Sequence, residues 1–144
     1  MNPVANPDGS SSRIYGEKVA EGKILFVDKE ADRLSILIEA LQILGYQVVV
    51  ADNADKARDL LSDPTPGFDV ILVSKEGTDM DGLELCRTLH ALNREVALIL
   101  YAEQGGSMGS LEMDDAGIRD VLQEPLTIRS LVDAIDQVLN HIAD

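Results

Sequence analysis

Six polar residues stand where the short apolar runs of this chain end: Asp28, Lys29 and Glu30 together, then Ser74, Tyr101, and Glu124 ahead of Pro125. In an open α/β sheet, the carboxyl ends of the strands are where ligands and chemistry sit. Carboxylates at such an edge can hold a hard cation. A positioned nucleophile beside them can accept a phosphoryl group if metal and cationic side chains neutralise its charge. Here the layout of a phosphate-handling edge comes with an ammonium among the acids of the first turn and a carboxylate in the last.

The elements that position these residues follow from hydrophobic period. Lys23–Val27, Gln47–Ala51, Asp69–Val73, Val96–Leu100 and Asp120–Leu122 read as strands. Between them lie amphipathic stretches. Ala31–Leu44 carries Leu34, Leu37, Ile38, Leu41 and Leu44 at helical spacing and stops at Gly45. A second helix runs from about Asn53 to Leu61, and Asp63-Pro64-Thr65-Pro66-Gly67 is a loop. Asp81 and Glu84 have the spacing of an N-cap and its reciprocal partner, opening a helix to Leu92. The glycines at 105, 106 and 109 disfavour helix, and a short one is expected from Ser110 to Ala116. Thr127 caps a last helix bearing Leu131, Ile135, Val138, Leu139 and Ile142. Strands buried on both faces and alternating with helices require a parallel sheet with right-handed crossovers. The expected fold is α/β, a flavodoxin-like doubly wound (βα)5 domain with strand order 2-1-3-4-5.

Composition narrows the function classes. A net charge of -14 over 144 residues argues against a phosphate backbone or an anionic membrane as partner. The lone cysteine, Cys86, excludes an intrachain disulfide and a multi-cysteine metal site, and points to a reducing, cytoplasmic setting. Residues 1–21 show no apolar period and read as a flexible leader with Ile14 and Tyr15 as its only anchors, leaving 22–144 for the domain. There is no signal-peptide pattern and no run long enough to span a bilayer.

Three stretches resemble the receiver domain of two-component response regulators. Ile24-Leu25-Phe26-Val27-Asp28-Lys29-Glu30 is similar to that family's first strand and acidic turn. Asp69-Val70-Ile71-Leu72-Val73-Ser74, followed by Met80-Asp81-Gly82-Leu83-Glu84-Leu85, resembles its phosphoacceptor strand and downstream turn. Gln123-Glu124-Pro125-Leu126 resembles its Lys-Pro turn, and the likeness runs from about Lys23 to Leu139. The resemblance implies an aspartate nucleophile, a carboxylate-held Mg²⁺, a fourth-strand hydroxyl and a fifth-strand lysine. Only Asp28 matches. Lys29 stands at the second acid, Ser74 at the acceptor, Tyr101 at the hydroxyl, Glu124 at the lysine and Val121 at the aromatic switch position. Serine cannot form an acyl phosphate, Lys29 opposes a metal, and Glu124 puts a negative charge where a cation would grip phosphoryl oxygen.

The expectation is therefore a pseudo-receiver. It is a phosphorylation-independent module, not an enzyme, that works in the cytoplasm as a monomer or weak homodimer. It binds no metal, cofactor, nucleic acid or membrane. Its partner is a signalling protein such as a histidine kinase, a receiver or an output protein. Two rivals stay open: a receiver switched through a non-standard acceptor, and a small-ligand-binding flavodoxin-like domain. Lys29 and Glu124 are expected either to close the pocket as an ion pair, directly or through Asp28, Ser74 and water, or to point into solvent. Ser74 reads as a small filler in preference to a kinase target. Asp28, Glu30 and Glu76 make at best a weak cation site. Met108, Leu111, Met113, Asp114 and Asp115 form the candidate partner surface, with an unpartnered frayed loop as the alternative. Cys86 reads as a core thiol, and His90 and His141 as solvated surface. The family resemblance implies a cis bond before Pro125.

Overall fold

The computed structural model describes residues 22–63, 67–103 and 110–143, with Ser110 and the last four by backbone alone. Alternating apolar runs and amphipathic stretches become β1 (Lys23–Val27), a 3-10 turn (Ala31–Leu34), α1 (Ser35–Ile43), β2 (Gln47–Ala51), α2 (Ala54–Ser62) and β3 (Val70–Ser74). α3 (Gly82–Leu92), β4 (Ala97–Ala102), α4 (Ser110–Ala116), β5 (Ile118–Gln123) and α5 (Ile128–Ala143) follow. The strands pair in parallel in the order β2-β1-β3-β4-β5, as expected. Among the described residues, no helix is long and apolar enough to cross a membrane.

Strand side chains alternate between faces, and each face of this sheet has its own core. Leu25, Val27, Ile71, Val73, Leu98 and Leu100 meet Leu61 of α2 and Leu85 and Leu89 of α3. Ile24, Phe26, Leu72 and Ile99 meet Leu41 of α1 and Leu131, Ile135 and Val138 of α5. The central strands are apolar at nearly every position because both faces are covered.

Four local expectations are revised. The first helix begins as a 3-10 turn, with Arg33 N–H donating to the Glu30 carbonyl at 3.1 Å, and the α-helix starts only at Ser35. β4 runs past Leu100 through Tyr101 and Ala102, because the ladder continues on both sides: Ser74 pairs with Tyr101, and Tyr101 with Leu122. β5 starts at Ile118, two residues early, and takes up the difference at an irregularity beside Leu98 and Ile99. Asp81 does cap α3, accepting from Glu84 N–H at 3.3 Å, but the Glu84 carboxylate turns to Arg87 at 2.7 Å. At α5 the reciprocal cap forms in full, Thr127 and Ser130 each accepting from the other's N–H at 3.0 and 3.1 Å.

Glycine is required where α3 meets β3. A Cβ on Gly82 would lie 2.5 Å from the Ser74 carbonyl oxygen and 2.6 Å from Lys75 Cα, both backbone atoms. Gly82→Ala therefore lowers the urea midpoint, by the equivalent of about 1–3 kcal/mol for an overpacked site, with an unchanged denaturant slope. Urea unfolding followed by circular dichroism checks this. A wild-type midpoint would contradict the packing described.

Candidate functional site

β1 delivers Asp28 to the sheet edge with no exposed surface. Its carboxylate is saturated. Oδ1 accepts from Glu30 N–H at 2.8 Å, and Oδ2 accepts from the Tyr101 hydroxyl at 2.9 Å and from Arg33 Nη2 at 3.0 Å. The phenol reaches Asp28 because the extended β4 carries the Tyr101 ring inside the sheet layer, fully buried and edge-on to Phe26 at 6.4 Å between centroids.

Arg33 is the hub. Besides Asp28 it grips Glu124, Nη1 donating to Oε1 at 2.6 Å and Nη2 to Oε2 at 3.3 Å. This is the planar fork that guanidinium offers and ammonium does not. The Arg33 side chain keeps 40% of its surface and that of Glu124 only 9%. The hydrogen bond that Arg33 donates to Glu124 raises the Arg33 pKa further above its ordinary value against partial burial, and the charge of Asp28 adds to it. Burial above all, then the charge and hydrogen bond of Asp28, pushes the Tyr101 phenol well above its usual 10.0.

Of the two alternatives for Lys29 and Glu124, the structure has Lys29 in solvent, and the ion pair of Glu124 is with Arg33. Lys29 is exposed, and among the described residues its ammonium makes no ion pair. Its backbone N–H instead donates to the Gly77 carbonyl at 2.6 Å. Asp28 faces the pocket and its neighbour faces water, so the cation comes from one turn further on. Nothing in periodicity marked Arg33, although a basic residue in the turn after a strand-end acid was visible.

Ser74, at the end of β3, is 1% exposed, and its Oγ accepts from Gly77 N–H at 2.8 Å. The loop presses down here: a Cβ on Gly77 would sit 2.6 Å from Ser74 Oγ and 2.8 Å from Asp28 Oδ1. Gly77 is the second residue that sequence reasoning missed. Glu76 turns away from Asp28, its Oε1 accepting from Glu103 N–H at 3.2 Å. Glu30 is exposed, and among the described residues no cluster of His, Cys, Asp and Glu is arranged to hold a metal.

Val121 is half-buried against the α3-side core. The residues of the expected partner surface differ in exposure. Leu111 is 84% exposed and Asp114 is exposed. Met113, however, packs against the core, and Asp115 is exposed but accepts from Arg87 Nε at 3.2 Å. Met108 and the side chain of His141 lie outside the described residues. Cys86 is fully buried, and burial first, then Asp81, pushes its thiol up to about 12. The Glu124–Pro125 bond is cis. His90 is a correction: the ring is half-buried against Gly117, where a Cβ would fall 2.3 Å from Nδ1. Only a residue without a side chain, at φ +73°, leaves it that room.

The topology and the position of the site at the strand ends define a flavodoxin-like domain of the CheY type. A CheY-like receiver domain protein from Methanospirillum hungatei JF-1 superposes with a TM-score of 0.76 at 23% identity, over 86% of this chain and 98% of that one. The response regulator receiver domain profile matches residues 24–136, and the chain belongs to that family, which acts in two-component signalling. It is similar to the transcriptional regulatory protein CpxR of Escherichia coli K12, 29% identical over 119 residues covering 83% of this chain and 50% of that one. It is equally similar to the response regulator receiver protein CpdR of Brucella abortus strain 2308, 29% identical over 81% of this chain and 96% of that one. The chain spans about half the length of the first curated relatives it matches.

Two outcomes follow from the site. In a double-mutant cycle, Arg33→Ala and Glu124→Ala couple by about 1 kcal/mol, whereas Lys29→Ala changes stability by less than about 0.5 kcal/mol and shows no coupling to position 124. Urea unfolding of the four variants decides it. Stability also depends on alkaline pH with a defined sign. Cys86 and Tyr101 stay protonated in the folded state above their ordinary values of 9.0 and 10.0, while the unfolded chain ionises there. The folded state then binds more protons than the unfolded one, so stability is flat up to about pH 8–9 and falls beyond it. Tyr101→Phe reduces that fall, which urea midpoints across the alkaline range measure.

Proposed function

We propose that this receiver domain signals by contact, without phosphoryl transfer. The observation that carries the reading is the Arg33 guanidinium held between Asp28 and Glu124. In the family resemblance, a metal and a lysine supply the positive charge at this edge, and catalysis is mostly positioning plus neutralisation. Here one internal side chain supplies it permanently.

The donor set does not fit Mg²⁺. Hard cations take several oxygen ligands, but the Asp28 oxygens already accept from three donors, one of them cationic. Lys29 replaces the second acid. Ser74, at the acceptor position, has a buried hydroxyl already engaged with the loop above it. An acyl phosphate needs a carboxylate nucleophile, and Ser74 has none. Val121 in place of an aromatic switch, and Tyr101 bonded inward, leave the usual conformational reporters absent or fixed.

The output is recognition by another signalling protein, such as a histidine kinase, a receiver or an output protein, in a cytoplasmic setting that suits one buried free thiol. The partner either competes with a phosphorylatable receiver or docks constitutively. The acidity of the chain disfavours nucleic acid.

Amide spectra recorded with Mg²⁺ and beryllofluoride, a phosphoryl mimic, test the proposal. The expected result is no shift around Ser74, Glu124 or Asp28, and no added phosphoryl mass after acetyl phosphate. A stable metal-dependent adduct would replace this reading with a switch through a non-standard acceptor.

A further inference from the structure

We propose that two copies of this chain pair through α1, in an antiparallel, two-fold symmetric contact centred on Ala40, with α5 of each copy supplying a charged rim. This inference does not rest on how the sheet edge works.

Among the described residues, five large apolar side chains are exposed, and three of them belong to α1 and its C-cap: Ile36 at 79%, Ile43 at 81% and Leu44 at 45%. Ile36 and Ile43 project in directions only about 20° apart and lie about 10 Å apart along the axis. Ala40 sits between them. Leu34 and Leu41, which pack into the core beneath, lie on the opposite side, so the stripe points away from the sheet. The groove lined by Ile38 and Val50 is on another side of the helix and takes no part.

Charge and symmetry select the occupant. Glu39 is the only charged residue of α1, and it turns to the side of Ile38 and Val50. On a chain of net charge -14, such a face lets a second copy approach with little repulsion. The stripe is also self-complementary. A two-fold axis beside Ala40 sets Ile36 of each copy against Ile43 of the other, as an isologous contact requires. The small alanine at the centre allows a close approach of the two helices.

α5 repeats the same interval. It follows its strand as α1 does, so both helices run back along one face of the sheet, in parallel. Arg129 and Asp136, seven residues apart like the isoleucines, are exposed, and among the described residues neither makes an ion pair. Asp136 faces the α1 side: burial first, then the charge of Asp136, raises the phenol of Tyr46, just past α1, above its ordinary value. Asp133 points about 60° further round the helix, away from α1. Ile36 and Arg129 are each the second residue of their helix. The axis that exchanges Ile36 with Ile43 therefore also brings Arg129 of each copy to Asp136 of the other. Such pairs supply register and specificity more than affinity. One short helix and one rim from each copy make an interface below about 1,200 Å², so the association is weak.

Sedimentation equilibrium of the full-length chain, from micromolar to millimolar concentration, tests this. The mass is expected to rise from that of one copy towards that of two. Ile43→Ser, at a side chain already in water, is expected to weaken association about tenfold, and Leu111→Ser on α4 to leave it unchanged. Arg129→Asp and Asp136→Arg are each expected to lose self-association, and to associate with one another when mixed, because opposite charges then meet at both contacts. A single copy at every concentration overturns the proposal. So does association that Ile43→Ser leaves intact, or a mixture of the two charge variants that associates no better than either alone. Ile36 and Ile43 methyl signals that shift only when another protein is added assign the stripe to that protein and overturn it too.

Discussion

A carboxylate with no exposed surface loses its hydration, and the fold must supply donors or a counter-charge in exchange. Asp28 is in that position at the end of the first strand. It receives one backbone N–H from its own turn, one hydroxyl from β4 and one guanidinium from the turn before α1. Removing any of these leaves a buried charge short of a partner. The neighbouring arrangement follows from that constraint. Tyr101 must lie inside the sheet layer, Arg33 must turn back towards the edge, and Glu124 must come to Arg33.

The result ties together three parts of the domain that are distant in sequence: the end of β1, the end of β4, and the turn between β5 and α5. Arg33 and Glu124 are 91 residues apart and meet at 2.6 Å. Gly77 closes the remaining side, bonded to Ser74 and Lys29 through its backbone. In a receiver, this edge is where a transient charge is made and sensed. Here a single guanidinium, that of Arg33, lies between the two carboxylates of Asp28 and Glu124.

Much of the fold was legible because hydrophobic period is a local signal. Runs such as Asp69–Val73 and Ala31–Leu44 announce strand and helix by themselves, and their alternation fixes a parallel sheet. Strand-end residues were legible for the same reason, so Asp28, Ser74, Tyr101 and Glu124 were found. What failed was non-local. The reversed signs of Lys29 and Glu124 suggested a pair but could not decide between contact and solvent, because adjacent residues at a strand end face opposite ways and Lys29 turns outward. Arg33 read as one more helix position, although its long planar side chain spans the gap. His90 looked like surface because the space for its ring is made by Gly117, 27 positions away.

The most direct test of the account is the state of the Arg33 guanidinium itself, observed by nitrogen-15 NMR of the arginine side chains as Mg²⁺ is raised to millimolar levels. A guanidinium held by both carboxylates gives a distinct, slowly exchanging side-chain signal, and the account predicts that Mg²⁺ leaves it unchanged. Loss of that signal on adding Mg²⁺, with matching shifts at Asp28 and Glu124, would mean that a metal displaces Arg33. The internal counter-charge would then be a plug over a working metal site, contrary to the central claim.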